Sequence, residues 1–124
     1  QMMSEKYNGW TNRATWILSV HEFFDYDYIE EVIKEQIIPD IAQRPFLKDE
    51  EQFKMVARNL LAQWMENNFN EFVEETQDTS TNTGIFLFDL IRSIDIDWKQ
   101  LAASYDELIE EYYQMDLRGV VATQ

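Results

Sequence analysis

The chain has 124 residues, a formal net charge of -14, 45% hydrophobic residues and no cysteine. That length suits one core and is short for two, so residues 1–124 read as a single acidic helical domain. Lys and Arg supply the contacts that neutralise phosphate, so this charge argues against direct binding of nucleic acid, and the lack of Cys excludes disulfides, thiolate metal sites and Cys nucleophiles.

Only three Gly and two Pro interrupt the chain. Apolar spacings of three and four dominate, which predicts an all-α fold of four to five helices. The first helix is expected to start at Thr11 or Asn12, where either side chain can cap free N–H groups. It carries Trp16, Ile17, Val20, Phe23 and Phe24 on one face and is expected to end around Asp25 to Asp27. A second helix from about Tyr28 has Ile29, Val32, Ile33 and Ile37 as its stripe, and Pro39 is expected to stop it near Ile38. Gln43–Lys48 reads as a connection.

A long third helix is predicted from Asp49, with Asp49, Glu50 and Glu51 at the positive end of its dipole. Phe53, Val56, Ala57, Leu60, Leu61, Trp64, Met65, Phe69, Phe72 and Val73 form its drifting apolar stripe, which allows a kink near Asn67 and Asn68. Gln77–Thr83 reads as the main flexible loop. Ile85–Ile94 reads as a short helix or apolar strand, with Leu87, Leu90, Ile91 and Ile94 favouring helix. Asp97, with Gln100 three residues on, caps a last helix whose face is Trp98, Leu101, Ala102, Tyr105, Leu108, Ile109 and Tyr112.

No catalytic, cofactor or metal site emerges. The one His is His21, beside Glu22, and no Ser or Lys sits in a nucleophile motif, so the chain is not expected to be an enzyme. Asp25-Tyr26-Asp27 lacks the Gly and the distal Glu of a calcium loop, and Gly9, Gly84 and Gly119 are too isolated to cradle phosphate. No apolar run nears the roughly 20 residues of a membrane span, and the N-terminus lacks a secretory pattern, which points to a cytoplasmic protein without a membrane role.

The charge itself is the strongest signal. Between Glu66 and Asp116 lie 13 Asp/Glu against two basic residues, Arg92 and Lys99. Self-repulsion opposes folding, so so lopsided a balance suggests selection for a negative field. Acids three or four apart on a helix lie about 5–6 Å from each other, near the spacing of phosphates along a strand. Glu71, Glu74, Glu75 and Asp78 form one such row, and Asp106, Glu107, Glu110 and Glu111 another. Glu71, Glu74, Glu75, Asp106, Glu107, Glu110 and Glu111 are therefore the candidate partner-binding residues. The partner would be a basic host protein or nucleic-acid-binding complex, approached by mimicry of nucleic acid.

Tyr7-Asn8-Gly9-Trp10-Thr11-Asn12-Arg13-Ala14-Thr15-Trp16 resembles a box, N-G-W-T-N leading to T-W, found in small accessory proteins of phages and plasmids. Gly84, Phe88-Asp89-Leu90-Ile91 and Asp97-Trp98-Lys99-Gln100-Leu101-Ala102 resemble a second element of that group. Ala14 stands where the group commonly has Glu or Asp. The resemblance implies a mobile-element origin and carries no catalytic role. Read physically, the box is a turn at Asn8-Gly9, a Trp wedge and a capped helix start, with Trp10 and Trp16 plugging the core near Trp98. The competing reading is a structural or assembly protein, a homodimer using Tyr105, Tyr112 and Tyr113 or the Trp10 segment.

Overall fold

The structure is a computed structural model that describes residues 8–44 and 49–114. Tyr7 of the box, Pro45 to Lys48 of the expected connection, Asp116 and Gly119 lie outside the described residues. In chain order the helices are α1 (Arg13–Val20), α2 (Tyr26–Val32), a π-helical turn (Ile33–Ile37), α3 (Ile38–Ala42), α4 (Glu50–Thr76), α5 (Asn82–Arg92), α6 (Trp98–Ala103) and α7 (Asp106–Tyr112). The fold is all-α as expected. More helices are present than expected because two of the anticipated rods are each divided.

The first correction is the length of α1, which ends at Val20 rather than around Asp25 to Asp27. Glu22 takes a positive φ of 50°, the Glu22 N–H donates to the Ser19 carbonyl, and the Phe23 N–H donates to the Leu18 carbonyl, both at 3.1 Å. This is a Schellman-type stop in which a left-handed residue satisfies the last carbonyls. It frees Phe23 and Phe24 from the helix and turns them into an aromatic cluster with Phe69, Phe72, Trp64 and Trp98.

Pro39 does not stop the second rod. The chain widens ahead of it, with the Ile38 N–H bonded to the Ile33 carbonyl five residues back, and Pro39 then occupies the first turn of α3. In a regular helix its ring would press on the Glu35 carbonyl, and the π-turn relieves that conflict while the axis continues. Ile29, Val32, Ile33, Ile37, Ile38 and Ile41 all remain buried along the rod.

The spine is α4, 27 residues without interruption at Asn67 and Asn68. The Asp49 side chain caps it by accepting from the Gln52 N–H at 2.8 Å. Phe53, Ala57, Leu61 and Met65 recur every four residues and are buried, and α2, α3, α6 and α7 close around that row into one core. The last predicted rod is broken at Ser104 and Tyr105, where the Ser104 hydroxyl donates to the Leu101 carbonyl at 2.6 Å. The break gives α7 its own N-terminus, with Asp106 and Glu107 in its first turn, and keeps Leu101 and Ala102 as well as Leu108, Ile109 and Tyr112 buried.

The N-terminal box docks on the start of α6 through cross-wired caps. Asn12 caps α1, its Oδ1 accepting from the Thr15 N–H at 2.9 Å and the Thr15 hydroxyl at 2.8 Å. The Thr15 Oγ1 in turn accepts from the Asp97 N–H at 2.9 Å, and Asp97 caps α6 by accepting from the Gln100 N–H at 3.0 Å. Gln100 does not reach back to close a capping box on its own helix. Its Oε1 accepts from the Thr11 N–H at 2.7 Å and its Nε2 donates to the Gly9 carbonyl at 3.1 Å. The Thr11 hydroxyl completes the seam on Asp97 Oδ2, and Asn12 Nδ2 donates to the Asp95 carbonyl. Gly9, at φ 87°, and Asn8, at φ 51°, make the turn that presents these groups. Trp10 packs against the core, Trp98 lies beside Phe24 and Phe69, and Trp16 is half-buried.

Thr15 is fully buried. Thr15→Val keeps its shape but strands the Asp97 N–H, so it should cost about 1–3 kcal/mol in urea unfolding, and Thr15→Ser should recover most of the loss. Glu22→Gly relieves the left-handed strain and should stabilise the fold by about 0.5–1 kcal/mol, read as a raised midpoint in the same unfolding experiment.

Candidate protein-binding surface

The two acidic rows have different fates. Glu71, Glu74 and Glu75 lie exposed on the C-terminal part of α4, and Glu74 is the one drawn toward a cation, with Arg92 Nη1 at 3.9 Å. Asp78 follows in the loop. Its carboxylate accepts from the Ser80 hydroxyl at 2.5 Å and the Ser80 N–H at 3.0 Å, which holds its pKa below the ordinary carboxylate value and keeps it charged.

In the second row, half of the charge is paired with cations of the same chain. Arg58 grips Asp106 with two parallel bonds, Nε to Oδ1 at 3.0 Å and Nη2 to Oδ2 at 2.6 Å, and Lys54 Nζ lies 2.8 Å from Glu110. These contacts raise the pKa values of Arg58 and Lys54, in each case chiefly through the hydrogen bond to the carboxylate. The pairs clamp α7 to α4. Glu107 and Glu111 remain exposed beside them, so this row presents alternate rather than successive charges to a partner.

The feature that the sequence reading did not isolate is the outer face of α5. Phe86 is 62% exposed, Leu90 49%, Ile85 44% and Leu87 39%, and Ile94, just past the end of the helix, is 44% exposed. Gly84, Phe88 and Ile91, spaced four and three apart, form the less exposed side. The start of the helix is fixed locally. The Thr81 hydroxyl oxygen caps it by accepting from the Gly84 N–H at 2.9 Å, and a Cβ at Gly84 would collide with the Asp78 carbonyl, so only glycine allows this close approach. Arg92 lies 5.3 Å from the centre of the Phe88 ring while reaching Glu74, which ties α5 to the first acidic row. A sequence signal existed. Ile85, Phe86, Leu87, Phe88, Leu90 and Ile91 are more apolar residues than one buried stripe requires.

Near the box, a cleft of about 450 Å³ is bordered by Asn59, Gln63, Glu66, Asp95, Trp98 and Lys99. His21 is exposed just past the end of α1. Among the described residues, no group of three or more His, Asp or Glu side chains converges as a metal site. Nor is any helix among them long and apolar enough to cross a membrane. Comparison with protein-family models, curated protein sequences and solved structures yields no match.

The bidentate clamp makes a measurable prediction. A double-mutant cycle on Arg58→Met and Asp106→Asn should return a coupling of about 1 kcal/mol in denaturant unfolding, as for a partly exposed bidentate pair. Glu107→Gln and Glu111→Gln in the same assay should leave stability within about 0.5 kcal/mol of the parent.

Proposed function

We propose that this protein works by binding rather than catalysis, as a phage or mobile-element accessory protein that engages and inhibits a basic host protein in the cytoplasm. The observation that carries the reading is the pairing, on one side of the fold, of the exposed row Glu71, Glu74 and Glu75 with an exposed apolar helix. Carboxylates speed encounter with a basic surface and make it sensitive to salt, while desolvated apolar side chains slow dissociation. A protein built only for solubility has no need of the second feature. The resemblance of the N-terminal box to phage and plasmid proteins supports the mobile-element part of the proposal. The box side chains themselves are occupied in the seam with α6, which supports a scaffolding role for them.

A nucleic-acid-handling defence complex is the partner class that fits best, because its basic groove accepts charges at helical spacing as it accepts phosphates. Of the two rows, Glu71, Glu74, Glu75 and the ionised Asp78 offer the more continuous negative edge. The alternative of an assembly protein, dimerising through aromatics, has less to draw on at the residues first suggested for it. Tyr112 is buried, Tyr113 packs on Phe53 at 4.8 Å between ring centres, and Tyr105 pairs with Tyr26 at 5.9 Å. Burial also raises the pKa of the Tyr105 phenol.

The test is retention of host proteins on the immobilised chain at low salt, with a salt gradient and a DNA or RNA competitor. A basic nucleic-acid-binding protein should elute at intermediate salt and be displaced by the competitor. Glu71→Gln, Glu74→Gln and Glu75→Gln together should shift its elution to markedly lower salt with the circular-dichroism spectrum unchanged. Unchanged elution from the triple variant would remove this row from the mechanism.

A further inference from the structure

We propose that the outer face of α5 is a docking surface for a basic amphipathic helix of a protein partner, one with an apolar stripe flanked by Lys or Arg. The inference deepens the function proposed above and rests on its acidic row. Phe86 and Leu90 lie four residues apart with Leu87 beside them, so they form a ridge along the helix axis, and Ile94 is exposed just past its end. At 11 residues, α5 is about 16 Å long, enough to meet two to three turns of a partner helix through anchors spaced three and four apart. A helix apolar on nearly every side is normally enclosed; displayed, it marks an interaction site.

Charge selects the occupant. Asp89 projects from α5 itself, Glu71, Glu74 and Glu75 line the α4 flank, and the one cation of α5, Arg92, is engaged by Glu74 and the Phe88 ring. A second copy of the chain, also at -14, would bring these acids against their own kind. Anionic lipid headgroups would meet the same repulsion. A partner stripe edged with Lys or Arg instead places opposite charges at the rim and apolar groups at the centre, the usual anatomy of a durable interface.

Fluorescence anisotropy on the full chain tests the assignment with two labelled probes carrying the same number of lysines. One is a designed peptide with Leu and Lys on opposite helix faces, and the other is oligolysine. The Leu/Lys peptide should bind at least about tenfold more tightly, and Phe86→Ser or Leu90→Ser should remove about that advantage while leaving oligolysine binding unchanged. Both positions are exposed, and the two variants serve as replicates should one lose its circular-dichroism melting transition. Glu71→Gln, Glu74→Gln and Glu75→Gln together should weaken both probes. Equal binding of the two probes, insensitive to Phe86→Ser and Leu90→Ser, would overturn the α5 assignment and leave the acidic-row reading in place. Oligolysine binding unaltered by the three Gln substitutions would instead strike that underlying reading. A dimer in sedimentation that dissociates on Phe86→Ser would assign the face to a second copy, and Phe86-dependent flotation with phosphatidylcholine vesicles would assign it to lipid; either result overturns the proposal.

Discussion

Burial of the row Phe53, Ala57, Leu61 and Met65 along α4 is the constraint on which the fold depends. Helices below about 12–15 residues are marginal in water by themselves, and α1, α2, α3, α6 and α7 have between five and eight residues each. Their helicity is sustained by tertiary burial rather than propensity. Only α4, at 27 residues, offers enough length to serve several of them at once. The breaks that looked unfavourable in isolation, a π-turn before Pro39 and the step at Ser104 and Tyr105, keep short apolar faces in contact with that row.

The seam between the box and α6 solves a related difficulty. Each helix start leaves N–H groups that need acceptors, and α1 and α6 begin side by side. Asn12 and Asp97 cap their own helices and are linked through the Thr15 hydroxyl, so each cap positions the other. Thr11 and Gln100 extend the network across the junction. No buried side-chain polar atom among the described residues lacks a partner. Polar groups placed this close together rigidify a junction because each one lost would leave others unsatisfied.

Charge pairing differs between the two acidic rows. On the α4–α7 side, Arg58 and Lys54 neutralise Asp106 and Glu110 and convert acidity into attachment. Toward the C-terminal end of α4, Arg92 is the cation that approaches the row, and at 3.9 Å from Glu74 it leaves Glu71 and Glu75 open to solvent. Exposed acids therefore stand beside the helix whose apolar side chains are least covered.

Much of this was legible in the sequence, because helix periodicity and capping are local. The all-α class, a helix start at Thr11 or Asn12, the start of the long central helix at Asp49, the cap at Asp97 and the preference of 85–94 for helix follow from residues a few positions apart. The acidic rows were equally visible. Which acids remain available was not, since Arg58 and Asp106 are 48 positions apart in the chain and meet only when α7 lies on α4. The exposure of Phe86, Leu87 and Leu90 was hidden for the same reason: an apolar helix reads alike whether or not another element covers it. The sequence by itself determined the all-α class, the starts of the first, the long central and the last rods, and the total charge, which are properties of neighbours along the chain. Tertiary structure alone decided the pairing of the caps, the neutralisation of half of one acidic row and the exposure of α5, because each depends on which distant surfaces share the core.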